Sequence, residues 1–283
     1  MQRRGRPSRR QGIDEKYLSF ECRSSREKRN GCGVGSASRQ RSTMIDQIRE
    51  NLLRILFPPR CSGCGDPIHM QPNQKFCSFC AARVVFITSP LCPACGIGVS
   101  SDGGYENRFC PGCLQQRPAF DSARSLVYYR DPVRSLLHQL KFKADTRAVI
   151  GLRSVIDAGG DWYRKVDYDL IVPVPLFPTR LRKRGLNQAL VLARLFFLKE
   201  SVKIDPTALI KAENTSAQSE LSGIDRRKNL AGTIRVRPGT NLAGMKICVV
   251  DDIFTTGTTV SECSLILKEN GAKIVEVLTF ARA

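Results

Sequence analysis

Two adjacent carboxylates and a turn of small hydroxyl residues form the most distinctive string in the chain. Residues 247–261 read ICVVDDIFTTGTTVS, where an apolar run ends at Asp251 and Asp252 and the turn surrounds Gly257. Thr259 and Glu262 have the spacing of a capping box, so we expect a helix to start at Thr259. The unpaired N–H groups of such a turn and helix start would bind a phosphate group, and Gly257 would let the backbone approach it closely.

The chemistry that this string supports depends on the two carboxylates. They would repel a phosphate alone, so they favour a ligand that also presents a diol or a metal ion, because carboxylates accept hydrogen bonds from hydroxyl groups. A nucleotide-binding P-loop is excluded, since it requires a lysine that this turn lacks. The remaining alternative is a buried strand that ends in an ordinary polar turn.

Eight of the twelve cysteines form four CxxC pairs. The pairs are Cys61 with Cys64, Cys77 with Cys80, Cys92 with Cys95, and Cys110 with Cys113. Each consecutive set of two pairs supplies four thiolates for a tetrahedral, structural Zn²⁺ site, and we expect sequential rather than crossed pairing. Redox pairs and an iron–sulfur cluster are the alternatives, and His69 is a possible substitute ligand. Cys248 and Cys263 lie in apolar surroundings and are predicted to be core residues.

The apolar pattern from Phe120 onward predicts strands that alternate with helices. The predicted strands are Ala123–Tyr129, Asp169–Val174, Lys246–Asp252 and Lys273–Phe280, and the predicted helices are Pro132–Phe142, Thr146–Ala158, Asn187–Leu198 and Thr259–Asn270. Such alternation indicates an α/β fold with a parallel sheet flanked by helices on both faces. The polar stretch at residues 211–232 lacks a periodic pattern and is predicted to be a long loop, of the kind that often serves as a lid.

Charge and composition divide the chain into three parts. Residues 1–43 carry twelve Lys and Arg against four Asp and Glu, a net +8 of the formal +19. We expect this basic tail to be disordered, with Met44 as an alternative initiator that would leave the tail untranslated. Its GCGVGS stretch lacks the strand and helix of a dinucleotide loop. Residues 44–118 are expected to hold a leading helix and a double zinc ribbon, and residues 119–283 the sheet domain.

The location and partners of the protein follow from the same composition. Because the sequence contains no long apolar run and no secretory signal, we expect a cytoplasmic protein. The positive charge suits phosphate-rich partners, whether nucleic acid or small phosphorylated substrates.

The motifs resemble those of a known family. Residues 247–261 match the signature with which type I phosphoribosyltransferases bind 5-phosphoribosyl-1-pyrophosphate (PRPP). From about residue 44 to its end, the chain resembles the bacterial ComF family of competence-associated, phosphoribosyltransferase-like proteins. The other landmarks are the paired CxxC ribbons, Leu140–Phe142, Val172–Leu176, Arg184–Gln188, Thr215 with Gln218, and Leu221, Ser222, Arg226 and Asn229.

This resemblance implies a type I phosphoribosyltransferase fold after the ribbons, with PRPP and Mg²⁺ as ligands. It implies that Asp251 and Asp252 meet the ribose hydroxyls. It also implies that the 5′-phosphate is held by Thr255, Thr256, Gly257, Thr258 and Thr259. Two positions depart from the family pattern: Leu186 replaces the usual Phe, and Glu213 stands where a basic residue is common and would oppose a pyrophosphate.

A basic run, RLRKR at residues 180–184, is predicted to bind the pyrophosphate. It follows the strand predicted at Asp169–Val174, and ligands gather at the carboxyl ends of such strands. Arg180 and Arg184 are the candidates for stabilising charge on the leaving pyrophosphate, and Arg226 could close over the site. The alternative for the run is a solvated charged face. Lys141 could also reach the site, and its alternative is a surface position.

Two functions of different classes fit these features. The first is an enzyme that transfers the 5-phosphoribosyl group of PRPP to an acceptor. The second is a non-enzymatic protein that handles single-stranded DNA and uses PRPP as a regulatory ligand. Resemblance to the ComF family implies a role in DNA uptake and competence, with a DNA-uptake helicase or other competence proteins as possible partners.

Overall fold

A computed structural model describes residues 58–68, 75–99, 108–143, 145–160, 162–165, 167–211 and 233–283, together with Leu52. Several of the predicted features lie outside these residues. They are the basic tail with its GCGVGS stretch, most of the leading helix after Met44, His69, and the polar segment after Lys211 with Glu213 and Arg226.

The core of the protein is a five-stranded, all-parallel sheet with the strand order β1-β7-β6-β2-β3. A separate antiparallel pair, β4 with β5, lies outside this sheet. The strands are β1 (Ser122–Tyr128), β2 (Leu170–Pro173), β3 (Lys203–Ile204), β4 (Leu209–Lys211), β5 (Ile234–Val236), β6 (Lys246–Phe254) and β7 (Ile274–Arg282). This is the α/β fold class that the sequence predicts.

Seven α-helices and one 3-10 turn are found among the described residues. They are α1 (Ser78–Ala82), α2 (Pro111–Gln115), α3 (Val133–Lys143), α4 (Thr146–Ala158), the 3-10 turn Trp162–Lys165, α5 (Pro178–Arg184), α6 (Gln188–Phe196) and α7 (Thr258–Glu269). Among these segments no helix combines the length and the apolar character needed to cross a membrane.

The side chains of β6 alternate between two hydrophobic clusters, one on each face of the sheet. Cys248 and Val250 belong to the cluster that includes buried residues of α3, α4 and α6. Ile247 and Val249 belong to the cluster that includes residues of α7, β4 and β5. Cys248 and Cys263 are fully buried, which confirms their prediction as core residues.

Both cysteine segments pack directly on the sheet and its helices. A Cβ added to Gly63 of the first segment would lie 2.7 Å from Cβ of Pro132, which precedes α3. In the second segment, the carbonyl oxygen of Ala94 accepts a hydrogen bond of 2.6 Å from the N–H of Ala123 in β1. Because each segment also contributes buried cysteines to one of the two clusters, the ribbons and the sheet share their cores.

The strands and helices agree with the sequence predictions within one or two residues at most ends. The clearest differences are elements that the sequence did not predict: the short strands β3, β4 and β5, and helix α5. β3, β4 and β5 are only two or three residues long, too short for alternation to identify them. The basic run of α5 has no buried residue and therefore no apolar stripe to indicate a helix.

Candidate functional site

The two acids lie near the carboxyl end of β6. Both remain partly exposed at the sheet edge, and each carboxylate accepts a hydrogen bond from the next N–H: Asp252 N–H donates to Asp251 Oδ1 (2.9 Å), and Ile253 N–H donates to Asp252 Oδ1 (2.8 Å). Burial of the Asp251 carboxyl and the adjacent Asp252 carboxylate raise the pKa of Asp251 well above its ordinary value. The charge of Lys141 on α3 acts in the opposite direction.

The turn after β6 leads directly into α7. Gly257 adopts φ of +75° and is the N-cap of the helix, and Ser261 N–H donates to its carbonyl oxygen (2.9 Å). Thr255 and Thr256 are exposed, and the Thr256 and Thr258 hydroxyls are hydrogen-bonded to each other at 2.8 Å. The N–H groups in the first turn of a helix have no intrahelical partner, so this end of α7 can donate hydrogen bonds to an anion.

The predicted capping box at the start of this helix is wrong. The helix begins at Thr258, one residue before the predicted start, and its N-cap, Gly257, makes no side-chain capping bond. Thr259 therefore lies within the first turn. The positive φ of Gly257 positions the helix start instead, and the N–H of Thr258 makes a long contact of 3.4 Å with Thr256 Oγ1.

Helix α5 places the two predicted arginines on one face. Arg180 and Arg184 are four residues apart and partly buried, whereas Arg182 and Lys183 between them are exposed. Burial and the neighbouring charge of Arg180 lower the pKa of Arg184, while the carboxylate of Asp252 raises it. Arg184 on the partly buried face of α5 therefore interacts electrostatically with Asp252 of β6, and the other face of α5 is a solvated charged surface.

A short network holds Arg184 at this position. Gly185 ends α5 in the left-handed conformation, with φ of +76°. Asn187 caps α6 through its Oδ1, which accepts from Ala189 N–H, and its Nδ2 donates to the carbonyl oxygen of Val174, which follows β2. Arg184 Nη1 lies 3.4 Å from Oε1 of Gln188, whose side chain is buried. The RGLNQ motif therefore connects the arginine to the end of β2.

Lys211 is a candidate site residue that the sequence analysis missed. It ends β4, and burial together with the charge of Arg180 lowers its pKa, whereas Glu262 and Asp251 raise it. The signal in the sequence was weak, because Lys211 is a single lysine at the start of a long polar stretch. Lys141, predicted as either a site or a surface residue, interacts electrostatically with Asp251.

These residues form one mixed-charge edge at the carboxyl end of the sheet. The carboxylates of β6 are followed directly by the start of α7, and they interact electrostatically with Arg184 of α5, Lys141 of α3 and Lys211 of β4. Such an edge can accept hydrogen bonds from a diol, donate hydrogen bonds to a phosphate, and neutralise a second anion. Arg226, the third predicted cation, lies outside the described residues.

The cysteines form two four-sulfur clusters, grouped sequentially as predicted. The first contains Cys61, Cys64, Cys77 and Cys80, and the second contains Cys92, Cys95, Cys110 and Cys113, with the sulfurs of each cluster within 4.8 Å of one another. The sulfurs of Cys64 and Cys77 are 3.8 Å apart, and those of Cys95 and Cys110 are 3.6 Å apart. A tetrahedral zinc site with Zn–S bonds of about 2.3 Å requires sulfurs about 3.8 Å apart, so both clusters fit Zn²⁺.

The backbone around each cluster favours one thiolate, while burial and the neighbouring sulfurs raise the pKa of Cys80, Cys95 and Cys113. Burial opposes ionisation of Cys61, but hydrogen bonds from the backbone N–H groups of Cys64, Cys77 and Gly63 lower its pKa to about 7. Burial likewise opposes ionisation of Cys92, and hydrogen bonds from three backbone N–H groups lower its pKa to about 7 as well. Four thiolates close the coordination sphere, so each site can support the fold but offers no open position for catalysis.

Comparison with known proteins supports the ribbon and extends to most of the chain. Residues 52–114 match the family model described as "Double zinc ribbon domain". The chain is 30% identical over 233 residues to "Competence protein F" of Haemophilus influenzae, covering 80% of this chain and 98% of that protein. It is also 30% identical to "DNA utilization protein YhgH" of Escherichia coli K12, covering 81% of this chain and 99% of that protein.

Two further similarities are more distant. "Competence protein ComFC" of Bacillus subtilis is 25% identical over 75% of this chain and 85% of its own length. A solved purine phosphoribosyltransferase from Pyrococcus horikoshii is 14% identical, with a TM-score of 0.28 over 47% of this chain and 80% of that chain.

The family assignment rests on the first group of relatives. The aligned region includes nearly the whole length of the Haemophilus and Escherichia proteins at 30% identity. It agrees with the double zinc ribbon and the parallel sheet described above. The chain therefore belongs to the ComF family of competence protein F relatives.

Proposed function

We propose that this protein binds PRPP at the carboxyl edge of β6 and transfers its 5-phosphoribosyl group to an acceptor. One observation carries the proposal: the Asp251–Asp252 pair of β6 is followed directly by the turn and start of α7, and the charge of Asp252 acts on Arg184 of α5. PRPP has a matching order of groups, with a 5′-phosphate, a ribose diol and a pyrophosphate along one molecule.

The phosphate and ribose would occupy β6 and the turn that follows it. The 5′-phosphate would accept hydrogen bonds from the backbone and hydroxyls of Thr255 to Thr259, where Gly257 permits a close backbone approach. The 2′- and 3′-hydroxyls would donate to Asp251 and Asp252. Both residues are partly exposed at this edge, and the Asp251 carboxyl itself is buried.

The pyrophosphate would lie against the cations. Arg180 and Arg184 share the inward face of α5, and Lys211 interacts with both Arg180 and Asp251. Burial lowers the pKa of both Arg184 and Lys211, which indicates that water screens their charges only in part and that an anion would be attracted more strongly. Mg²⁺ prefers oxygen ligands of this kind and would neutralise part of the pyrophosphate charge.

The reaction would break the bond between C1 of the ribose and the pyrophosphate oxygen and form a bond from C1 to the acceptor. Positive charge develops on the sugar ring while the departing pyrophosphate takes the electron pair. The arginines and Lys211 would stabilise that developing negative charge. The carboxylates would orient the ring through its hydroxyls, so that C1 faces the acceptor.

The relatives suggest the biological setting. The names "Competence protein F" and "DNA utilization protein YhgH" connect those relatives with competence and DNA use. We propose for this protein a cytoplasmic role in DNA uptake, with single-stranded DNA, a DNA-uptake helicase or other competence proteins as partners. The second candidate function, non-enzymatic handling of single-stranded DNA, is favoured by the same names and would keep PRPP as a regulatory ligand.

Two measurements together test this function. Titration calorimetry is carried out with PRPP and with its two halves, ribose 5-phosphate and pyrophosphate. Both halves should bind, and PRPP should bind more tightly than either. Release of pyrophosphate from PRPP is then measured with a panel of bases, amines and single-stranded oligonucleotides. Acceptor-dependent release supports the transferase, whereas tight PRPP binding without release, and with altered DNA affinity, supports the regulatory alternative.

A further inference from the structure

A buried arginine at the end of β7 joins the second cysteine cluster to the sheet. Arg282 is 7% exposed, and its Nη1 donates a hydrogen bond of 2.7 Å to the carbonyl oxygen of Cys95. Its Nη2 lies 3.8 Å from the sulfur of the same cysteine. One guanidinium thus contacts both the backbone and the sulfur of a predicted zinc ligand.

The other side of this guanidinium faces the phosphate-binding turn. Arg282 stacks over the ring of Phe254, with 4.4 Å between its Cζ and the ring centroid. Phe254 is buried, packs edge-on against Phe120 (6.1 Å between centroids), and lies directly beside Gly257. The contacts therefore run without a gap from Cys95 through Arg282 and Phe254 to the N-cap of α7.

We propose that Arg282 is a positioning residue through which the metal of the second ribbon organises the phosphate-binding turn. The importance of that turn rests on the proposed function. The contacts among Cys95, Arg282 and Phe254 do not depend on it. It gives the second ribbon a role beyond holding its own loop together: loss of its metal loosens Phe254 and, with it, the backbone at Gly257.

The chemistry of the cluster explains why an arginine is suited to this position. Four thiolates around one Zn²⁺ leave a net negative charge, and a buried guanidinium is a complementary partner that can donate to sulfur and carbonyl at once. Partners of this kind orient metal ligands and tune their affinity. Without the metal, the sulfurs are no longer held in place, and the guanidinium loses the fixed partner that positions it over Phe254.

The first ribbon provides an internal comparison. Its two described arginines make other contacts: Arg60 donates to the carbonyl oxygen of Gly65, and Arg83 lies over the ring of Phe79. Arg124 of β1 offers a matched control for contacts with the second ribbon. It joins that ribbon to the sheet through a bond of 3.0 Å from Nη1 to the carbonyl oxygen of Pro93.

The test compares Arg282→Gln with Arg124→Gln in the zinc-loaded full chain. The rate of zinc release to a chelator is measured. Cysteine alkylation is followed by mass spectrometry at the same time, so that each zinc release is assigned to the ribbon whose cysteines are alkylated. We expect Arg282→Gln to speed release from the second ribbon about 10-fold or more, to leave the first unchanged, and to increase amide hydrogen exchange at Thr255–Thr259. Arg282→Lys should restore part of both effects, and Arg124→Gln should produce neither.

Two results would overturn the inference. One is equal acceleration of both ribbons in Arg282→Gln, which would indicate general destabilisation. The other is faster zinc release without any change in exchange at Thr255–Thr259. Neither readout requires PRPP, so a failure of wild-type protein to bind PRPP would reject the proposed function and leave this inference to be decided separately.

Discussion

The ring of Phe254 fills the space in which Gly257 would carry a side chain: its Cζ lies 2.5 Å from the position of an added Cβ. Gly257 is also in the left-handed region, with φ of +75°. The turn between β6 and α7 therefore excludes every residue except glycine for two independent reasons. The same contact lies at the N-cap of α7, where the first N–H groups of that helix begin.

Gly257→Ala should weaken PRPP binding by at least about 10-fold, because the new methyl group must displace Phe254 or the backbone, and a misplaced donor loses about 1.5–3 kcal/mol per charged hydrogen bond. Gly239→Ala is the matched control, since Gly239 has φ of +80° but nothing within 4 Å of an added Cβ. Both variants lose stability from the strained φ, about 1–3 kcal/mol. Calorimetry should find weaker binding in Gly257→Ala alone; equal affinity in the two variants would contradict the turn assignment.

The two faces of α5 should differ in their effect on anion binding. Replacing Arg184 or Arg180 by Gln removes a partly buried cation next to Asp252 or Lys211, so we expect pyrophosphate affinity to fall about 10- to 100-fold. Arg182→Gln removes the same charge from the exposed face and should change the affinity less than about 3-fold. Similar losses in all three variants would indicate that only the net charge of the run matters.

Sequence alone predicted the long elements and the chemistry of β6, because these depend on local patterns. The strand before Asp251 is a continuous apolar run, and the CxxC spacing identifies the cysteine clusters. The contributions of Lys211 and Arg282 could not be predicted in this way. Each acts through neighbours far away in the chain, such as Asp251 for Lys211 and Cys95 for Arg282, and only the packing of β4 and β7 brings them together.

The helix start shows the same limit at short range. Thr259 and Glu262 satisfy the pattern of a capping box. The helix nevertheless begins one residue earlier, at Thr258, because Gly257 with its positive φ is the N-cap. The packing of Phe254 against Gly257 favours the helix start at Thr258 over the start at Thr259. A sequence motif does not include that contact.

Asp251→Asn should stabilise the protein at neutral pH while weakening PRPP binding. Burial and the Asp252 carboxylate raise the pKa of Asp251 in the folded state, so ionising it costs more there than in the unfolded chain. That cost is absent below about pH 4, where both states are protonated, and grows as the pH rises. Thermal melts should therefore show a higher Tm for the variant at pH 7 and little difference near pH 4. A lower Tm at pH 7 would contradict the electrostatic account.

Protein purified without added metal should contain two Zn²⁺ per chain, because two complete four-sulfur clusters are present among the described residues. Since both clusters contribute cysteines to the hydrophobic cores, chelation should lower the Tm of the whole protein instead of releasing a separate domain. Elemental analysis checks the stoichiometry. One Zn²⁺ or none, or iron in its place, would count against the double ribbon.

The most direct test of the PRPP site is titration calorimetry of the wild-type protein and an Asp251→Ala, Asp252→Ala double variant, each with PRPP and Mg²⁺. We predict a dissociation constant of about 1 µM to 1 mM for the wild type, in the range of typical substrates. Binding by the double variant should be at least about 100-fold weaker, since both acceptors of the ribose hydroxyls are lost. Equal affinity in the two proteins, or no binding by the wild type, would contradict the account.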